Sequence, residues 1–262
     1  MLDKRTLTKV TDIARRAGEE ILRVYESDDF GVETKADDTP LTKADLAANR
    51  VIVEGLRALD DRTPIVSEEN RVSDFETRNK WTYYWLVDPL DGTKEFVKRN
   101  GEFTVNIALI RTQTPVAGVV FAPAVGSLYY GSSDGGAWRV KNGGVAERIA
   151  VEPKNSGERI IAARSRSHAR PEEETFFAHF NVERTITAGS SLKFCLVAEG
   201  SAHLYYRSGT TSEWDNGAGD AVLRAAGGST LSPSGDPLRY NKPDLLVDRF
   251  AASSFPVDPK IV

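Results

Sequence analysis

Two carboxylates three positions apart lie in the segment DPLDGT, residues 88–93, directly after the apolar and aromatic run 83–87. Such a run predicts a buried strand. Side chains alternate along a strand, so Asp88 and Asp91 would face opposite sides if the strand simply continued. The proline and the glycine of the segment predict a bend, on which both acids converge with the Leu90 carbonyl between them. Converging oxygens are the ligands that a hard divalent cation requires.

Three other segments place acids at the edges of predicted elements. Residues 40–45, PLTKAD, enter a helix, and the Glu-Glu pair 68–69 follows a strand. Residues 213–215, EWD, precede a helix that we predict from about residue 216. Any one of these acids alone is better explained as a solvated side chain or a helix cap, and Asp215 suits an N-cap. Their joint occurrence with DPLDGT favours a shared acidic site.

The rest of the chain predicts the elements that position these acids. Hydrophobic spacing predicts amphipathic helices over about residues 4–26 and 43–59. A strand at 64–66 and an antiparallel meander follow, with meander strands at 103–111, 115–122, 127–131, 136–141 and 145–151.

A polar, breaker-rich segment at residues 151–157 predicts a domain boundary. Strands and helices alternate beyond it, at 160–163, 171–180, 184–188, 191–199, 202–206, 216–226 and 245–252. Such alternation favours a layered α/β arrangement. We therefore predict an α/β protein with an N-terminal α+β domain, residues 1–152, that carries most metal ligands. A C-terminal α/β domain, residues 153–262, would close the substrate site.

Composition excludes several classes of function. The chain is 40% hydrophobic and 27% charged, which is ordinary for a soluble protein with a real core. A net charge of −4 provides no basic field for a nucleic acid polymer or for anionic lipid. The single cysteine, Cys195, lies in an apolar helical pattern and excludes an internal disulfide or a Cys-rich zinc site. No stretch has the length of a membrane span, so the expected location is cytoplasmic, with a peripheral place at the inner membrane left open for a bacterial source.

The order of the acidic segments resembles the lithium-sensitive, magnesium-dependent phosphatase family that includes inositol monophosphatases and fructose-1,6-bisphosphatases. Four family motifs are matched in order over nearly the whole chain, namely PLTKAD at 40–45, EE at 68–69, DPLDGT at 88–93 and WDNGAG at 214–219. The resemblance implies the layered αβαβα sandwich of sugar phosphatases. It also implies hydrolysis of a phosphate monoester with two to three Mg²⁺ ions per site.

Two further segments are similar to the 3'(2'),5'-bisphosphate nucleotidase branch of that family, TKEF at 93–96 and GSSLKFCLVAEG at 189–200. Members of this branch remove the 3'-phosphate from adenosine 3',5'-bisphosphate (PAP). The resemblance therefore implies a small phosphorylated substrate, a nucleotide, with inositol phosphatase activity as the chief rival. The chain departs from the branch pattern at His203, Tyr206 and Asn216, which we expect on the nucleoside side.

The resemblance also assigns roles to individual residues. The metal ligands that it implies are Glu68, Asp88, Asp91, Asp215 and the carbonyl of Leu90. Thr93 would contact the attacking water, Asp45 would accept a hydrogen bond from Thr93, and Glu69 would act through water. A carboxylate behind the hydroxyl makes sense, because a hydroxyl alone is a weak base at pH 7.

The same resemblance implies the substrate contacts. Backbone N–H groups of Gly92 and Thr93 would cradle the phosphate, which Gly92 permits because it has no side chain. The metal-side residues that would also face the substrate are Glu68, Leu90, Asp91 and Asp215. Candidates for holding the rest of the substrate are Ser190, Lys193, Arg207 and Glu213.

Other functions have weaker motif support. Residues 190–193, SSLK, match the S-x-x-K signature of penicillin-interacting serine enzymes, but the Ser-Asp-Asn and Lys-Thr-Gly triplets are absent. Neither G-x-x-x-x-G-K-[ST] nor G-x-G-x-x-G occurs, and no histidine pair has H-E-x-x-H spacing. A non-catalytic, ligand-binding relative would have lost metal acids, whereas every one is present. The apolar helix faces leave a homodimer open.

Overall fold

The computed structural model describes residues 4–27, 30–31, 33–34, 40–155 and 157–262. Its helices are α1 (Lys4–Tyr25), α2 (Lys43–Leu59), α3 (Phe75–Arg78), α4 (Thr93–Val97), α5 (Pro171–Phe177), α6 (Leu192–Ala198) and α7 (Glu213–Ala225), with a 3₁₀ turn at Pro259–Ile261. Within these described ranges, no helix combines the length and the apolar composition that crossing a bilayer requires.

The strands belong to two large sheets and two short hairpin-like pairs. They are β1 (Glu33–Thr34), β2 (Pro40–Leu41), β3 (Ile65–Ser67), β4 (Tyr83–Asp91), β5 (Thr104–Arg111), β6 (Thr114–Ala122), β7 (Ser127–Ser132), β8 (Gly136–Lys141), β9 (Glu147–Ile149), β10 (Ile160–Ser165), β11 (Val182–Ala188), β12 (Leu204–Arg207), β13 (Thr211–Ser212), β14 (Ser229–Leu231), β15 (Leu246–Val247) and β16 (Phe250–Ser253). The seven-stranded sheet runs in chain order from β3 to β9, and the five-stranded sheet has the order β11-β10-β12-β16-β14.

The elements stack in five layers. Helices α1 and α2 cover one face of the seven-stranded sheet, and α7 covers the other face. Helix α6 packs between α7 and the five-stranded sheet, whose outer face is covered by α5. This order is the αβαβα sandwich that the family resemblance implies. The predicted antiparallel meander is also confirmed, because β4 to β9 pair antiparallel throughout.

The predicted boundary at residues 151–157 falls between the two large sheets, with residue 156 outside the described residues. The hydrophobic core nevertheless continues across it. One buried cluster joins side chains from both sides of the boundary, among them Leu86 and Val120 from the first sheet and Phe194 and Val222 from the helices that follow it. Division into two domains therefore stays a prediction.

The C-terminal elements differ from the prediction at their ends. The helix predicted from about residue 216 begins at Glu213, and Ser212 is its N-cap. Asp215 is not the N-cap but the third helical residue, where its Oδ2 accepts a hydrogen bond from the Ser212 backbone N–H at 2.8 Å. The strand predicted over 245–252 is two separate strands, β15 and β16, which pair with different partners.

A glycine in β6 lets α7 lie directly against the first sheet. A Cβ on Gly118 would clash with the Ala218 carbonyl oxygen and lie 2.8 Å from the Ala221 Cβ. Because α7 carries Asp215 in its first turn, this close approach also sets the position of that acid.

We expect Gly118→Ala to lower the free energy of unfolding by about 1–3 kcal/mol, because an extra methyl group forces α7 and β6 apart. The measurement is urea unfolding, with Gly143→Ala as the matched control. Gly143 has φ +69° and no heavy atom within 4 Å of an added Cβ, so only backbone strain of about 1 kcal/mol is expected there. A smaller loss for Gly118→Ala than for the control would contradict the packing argument.

Candidate active site

A cavity of about 550 Å³ opens at the ends of β4 and β12 and at the first turn of α7. Acidic side chains line one part of it and basic side chains another. The acids are Glu68, Asp88, Asp91, Glu95 and Asp215, and the basic residues are Lys94, His168, Lys193 and Arg207. The cavity therefore presents the acidic side chains that metal ions would require and the basic side chains that a phosphorylated ligand would require.

The acidic part is built by a β-bulge. Asp88 pairs with Asn106 and Asp91 with Thr104, so three steps along β4 match two steps along β5. The extra residue turns Asp88 and Asp91 to the same face, which an unbroken strand would not do. The predicted convergence of the two acids is therefore found, with a bulge inside the strand instead of a bend after it.

Three carboxylates form the tightest group, which we call the acid trio: Glu68, Asp88 and Asp215. Each offers an oxygen within 4.8 Å of the others. The Glu68 backbone N–H donates to the Val87 carbonyl at 3.1 Å, which fixes Glu68 beside β4. The trio thus joins the end of β3, the middle of β4 and the first turn of α7.

Burial and mutual repulsion make the two aspartates of the acid trio costly to ionise. The pKa of Asp88 lies well above its usual value because the side chain is buried, and the charges of Glu68, Asp91 and Asp215 add to the effect. Burial also raises the pKa of Asp215 to about 8, with Asp91 as the next cause. Three oxygen ligands with too much negative charge fit a hard divalent cation, which would neutralise them.

Asp91 faces the cavity but lies outside the acid trio. Its Oδ2 accepts hydrogen bonds from Ser190 Oγ at 2.5 Å and from Asn106 Nδ2 at 3.3 Å. Burial raises the pKa of Asp91, and the Ser190 hydrogen bond opposes that shift. The structure therefore gathers three of the four predicted metal carboxylates tightly and holds the fourth beside them through Ser190. The predicted fifth ligand, Leu90, lines the same cavity.

The predicted activating pair is brought together. Asp45 is buried, and its Oδ2 accepts from the Thr42 N–H at 2.7 Å and from the Thr42 hydroxyl at 2.5 Å, which completes the N-terminal capping box of α2. The Thr93 hydroxyl lies 3.4 Å from Asp45 Oδ1 and 3.3 Å from the Leu90 carbonyl. Glu69, the other predicted catalytic acid, is half-buried beside Glu68 but is not among the residues that line the cavity.

Gly92 occupies the turn between the bulge and α4. It has φ +90°, a left-handed conformation, and is the N-cap of α4. A Cβ there would lie 3.2 Å from the Glu102 carbonyl oxygen. Glycine is thus required by both the conformation and the space. The predicted cradle of Gly92 and Thr93 N–H groups lies at the cavity wall.

Both cations predicted to hold the substrate reach the cavity. Lys193 is buried, and its Nζ donates to the Ser190 carbonyl at 2.5 Å and lies 3.5 Å from the Ala188 carbonyl. Burial lowers the pKa of Lys193 to about 8, although Asp91 raises it. Arg207 donates from Nε to the Gly209 carbonyl at 3.1 Å, which leaves its terminal nitrogens for a ligand.

Two further residues line the cavity that sequence analysis did not identify as ligand contacts. Lys94 and His168 line the cavity with their side-chain nitrogens 3.5 Å apart. Burial lowers the pKa of His168, and the charges of Arg207 and Lys94 lower it further. Lys94 lies inside a segment that the sequence singled out, whereas no sequence signal placed His168 here.

The structure places Glu213, which the sequence analysis expects at the substrate, outside the cavity lining. Glu213 is fully buried behind the cavity wall, and its two oxygens accept from the N–H groups of Asn241 and Lys242 at 2.6 and 3.0 Å. Lys242 Nζ adds a third hydrogen bond at 2.5 Å. The carboxylate therefore fastens the 241–242 segment to the start of α7 and does not line the cavity.

Two of the three departures from the branch pattern lie away from the cavity. Tyr206 stacks on Phe176 under α5, with ring centroids 3.8 Å apart. His203 is buried, and its Nδ1 accepts the Ile161 N–H at 2.9 Å. Along β12 the side chains alternate, so Arg207 faces the cavity and Tyr206 the opposite core. Only Asn216 is on the cavity side as expected.

An apolar wall completes the cavity. It is formed by Trp214, Tyr205 and Leu246. Leu246 is 48% exposed, which is unusual for a large aliphatic side chain. Pairing of β13 with β15 places Leu246 opposite Ser212, two residues before Trp214 in the chain. An exposed apolar side chain at the rim of a polar cavity suits a flat organic group in a ligand.

We expect the metal-free protein to lose stability as pH rises from about 4 to about 8. Asp88 and Asp215 have a higher pKa in the folded than in the unfolded chain, so the folded state binds more protons in that window. The measurement is the free energy of unfolding in EDTA at pH 5 and at pH 8. Asp88→Asn should show a clearly smaller loss, because one charge of the acid trio is gone.

His168 contributes stability that increases as pH rises, because its pKa is lowered on folding. This contribution is the same in the wild type and in Asp88→Asn, so it cancels in the comparison. Equal pH dependence of the wild type and Asp88→Asn would contradict the repulsion within the acid trio.

Comparison with known proteins agrees with this geometry. A model of the inositol monophosphatase family matches residues 3–257. The 3'(2'),5'-bisphosphate nucleotidase CysQ of Escherichia coli strain K12 is 47% identical over 235 residues, which cover 89% of this chain and 93% of that protein. The CysQ protein of Haemophilus influenzae is 34% identical, over 94% of this chain and 91% of its own length.

Solved structures give the same result. The crystal structure of CysQ from Bacteroides thetaiotaomicron superimposes with a TM-score of 0.82 at 42% identity and covers 96% of this chain and 98% of that one. An inositol monophosphatase from Anabaena has a TM-score of 0.75 at 24% identity over 98% of this chain and 93% of that one, which shows the shared fold alone. This chain belongs to the inositol monophosphatase family.

Proposed function

We propose that this protein is a Mg²⁺-dependent phosphomonoesterase that removes the 3'-phosphate of PAP, giving AMP and inorganic phosphate. It would likewise remove the 3'-phosphate of the 5'-phosphosulfate analogue (PAPS), giving adenosine 5'-phosphosulfate (APS). The observation that carries the proposal is a single cavity in which the acid trio stands opposite basic side chains, with an apolar wall beside them. A nucleotide with two phosphates and a flat base has a group for each of these three parts.

Metal binding belongs to the acidic part. Glu68, Asp88 and Asp215 would hold Mg²⁺, with Asp91 and the Leu90 carbonyl completing the ligand set. Oxygen ligands of this kind suit Mg²⁺ and exclude the softer, thiolate-preferring metals. When bound, Mg²⁺ supplies positive charge that stabilises the leaving oxygen and lowers the pKa of water.

Thr93 and Asp45 would handle the proton of the attacking water. The Thr93 hydroxyl lies 3.4 Å from Asp45 Oδ1, and Asp45 is itself fixed by its two hydrogen bonds from Thr42. Thr93 accepts a hydrogen bond from the water while its own proton points to Asp45. The water can then approach phosphorus with its proton directed along this pair, which provides general-base assistance.

The rest of the substrate would be held by the basic and apolar parts. The reacting phosphate lies against the turn at Gly92 and Thr93, near the acid trio. Arg207 and Lys94 would bind the second phosphate, since a guanidinium and an ammonium group both form charge-assisted hydrogen bonds with phosphate oxygens. The base would then rest on Trp214 and Leu246.

We expect PAP to be hydrolysed with a kcat/KM at least about tenfold above that of inositol 1-phosphate, because inositol 1-phosphate has neither a second phosphate nor a base. Phosphate release from both substrates, with AMP identified as the product from PAP, measures this. Equal kcat/KM values, or no AMP, would favour an inositol monophosphatase instead.

Arg207→Gln tests the second-phosphate contact. It should lower kcat/KM for PAP by about 10- to 100-fold, the range for a lost charged hydrogen bond, and change that for inositol 1-phosphate little. Arg207 is a cleaner probe than Lys193, whose ammonium group also holds the Ser190 carbonyl. Equal losses on both substrates would contradict a contact specific to the second phosphate.

Thr93→Ala should lower kcat by about 100-fold or more while leaving Mg²⁺ binding intact, because the hydroxyl is assigned to the water. Thr93→Ser should recover much of the activity. The Thr93→Ala, Asp45→Asn double variant should be little worse than the poorer single variant, since the two groups act as one unit. Fully additive losses would refute the pairing. Metal binding is followed separately by the Mg²⁺-induced shift in melting temperature.

A further inference from the structure

Ser190 holds a strained backbone conformation at the cavity. Its φ is +53°, a left-handed value that a residue with a Cβ adopts at a cost of about 1–2 kcal/mol. Four contacts keep it there. Its hydroxyl donates to Asp91 at 2.5 Å and is hydrogen-bonded to Thr104, its carbonyl accepts from Lys193 at 2.5 Å, and the preceding N–H of Gly189 donates to Glu102 at 2.8 Å.

Glu102 connects this strained turn to the first half of the chain. It lies in the loop between α4 and β5, and its two oxygens accept from Arg166 Nε at 2.5 Å and Nη2 at 2.6 Å. Oε2 accepts in addition from the Gly189 N–H. One carboxylate thus fixes two segments of the second half of the chain, the turn after β10 and the turn before α6.

The fit around Gly189 is close. A Cβ on Gly189 would lie 2.5 Å from the Glu102 carbonyl oxygen and 2.9 Å from the Glu102 Cβ. A second hydrogen bond, from the Ser167 hydroxyl to the Glu95 carboxylate, lies beside the Arg166–Glu102 pair. The position of the Gly189-Ser190 backbone is therefore set by Glu102, which lies outside the cavity lining.

We propose that Glu102 is a positioning residue for the metal site, acting through Gly189 and Ser190 on Asp91. By holding the strained turn, it places the Ser190 hydroxyl on Asp91 Oδ2 and leaves Oδ1 for the cation. Hydrogen bonds of this kind orient a carboxylate ligand before the metal arrives. The inference rests on the proposed metal-dependent function of the same site.

The test measures Mg²⁺ affinity, not turnover. Glu102→Gln keeps the size of the side chain, removes the charge that holds Arg166, and replaces the carboxylate acceptor of the Gly189 N–H with a weaker amide acceptor. We expect it to weaken Mg²⁺ binding by about 10-fold, within the range for lost partners of metal ligands. The readout is the Mg²⁺ concentration dependence of the melting temperature, followed in the metal-free protein after dialysis against EDTA.

Glu199→Gln is the matched control. Like Glu102, Glu199 carries a carboxylate that accepts from an arginine, here Arg139 at 2.7 Å. It also accepts from Tyr129 at 2.9 Å, but it does not line the cavity or touch the turn. It should lower the melting temperature of the metal-free protein without changing Mg²⁺ affinity. An equal loss of affinity in both variants would reduce the role of Glu102 to general stability and overturn the proposal.

Two substitutions at Ser190 separate the hydroxyl from the backbone. Ser190→Ala removes the hydrogen bond to Asp91 and keeps the strain, whereas Ser190→Gly removes both. Both should weaken Mg²⁺ binding by about 10-fold. Combined with Glu102→Gln, either should give little further loss, because the two residues act on Asp91 through one path.

The outcomes distinguish this inference from the proposed function. If Mg²⁺ fails to stabilise the wild type, the metal-dependent function is wrong. If Mg²⁺ stabilises the wild type and binds Glu102→Gln or the Ser190 variants as tightly, or more tightly, the function stands and the positioning role is refuted.

Discussion

Repulsion among carboxylates gathered around the buried Asp88 is the constraint on which the rest of the structure depends. Glu68, Asp88 and Asp215 offer oxygens within 4.8 Å of one another, and Asp91 lies beside them. Such a group opposes folding until a cation neutralises it, since the Asp88 charge is removed from water and the other charges lie close to it. The fold must therefore hold these acids together against a force that separates them.

Three local devices supply that restraint. The bulge in β4 turns Asp88 and Asp91 to one face, and β5 fixes it by pairing on both sides. Capping boxes at α2 and α7 then each use one oxygen of an aspartate, Asp45 or Asp215, to close a helix end. The other oxygen of Asp45, Oδ1, lies 3.4 Å from the Thr93 hydroxyl, and Asp215 offers an oxygen to the acid trio. Each of these two aspartates thus joins a helix end to the site.

Sequence patterns predicted most of the architecture. The helix over 43–59 has its predicted bounds, and the meander follows the turn residues, because both depend on local periodicity and on local turn chemistry. The grouping of Glu68, Asp88 and Asp215 was also expected, although it came from the family resemblance and not from periodicity.

The failures have a common physical cause, since each depends on long-range contacts. Nothing near Glu213 indicates that its partners are Asn241 and Lys242. The side of β12 to which the Tyr206 side chain points follows from the register of that strand in the sheet, which the sequence alone leaves undetermined. Likewise, His168 reaches Lys94 only because the two halves of the chain close on each other.

A metal that binds to the acid trio must displace the protons that its aspartates retain. Asp215 has a pKa of about 8, so this carboxyl retains its proton near neutral pH. Burial also raises the pKa of Asp88. Titration calorimetry of the metal-free protein with Mg²⁺, in two buffers of different ionisation enthalpy at pH 7, measures the protons released. The account predicts net release of about one proton or more per chain, falling towards zero at pH 9. Binding of Mg²⁺ without proton release at pH 7 would contradict it.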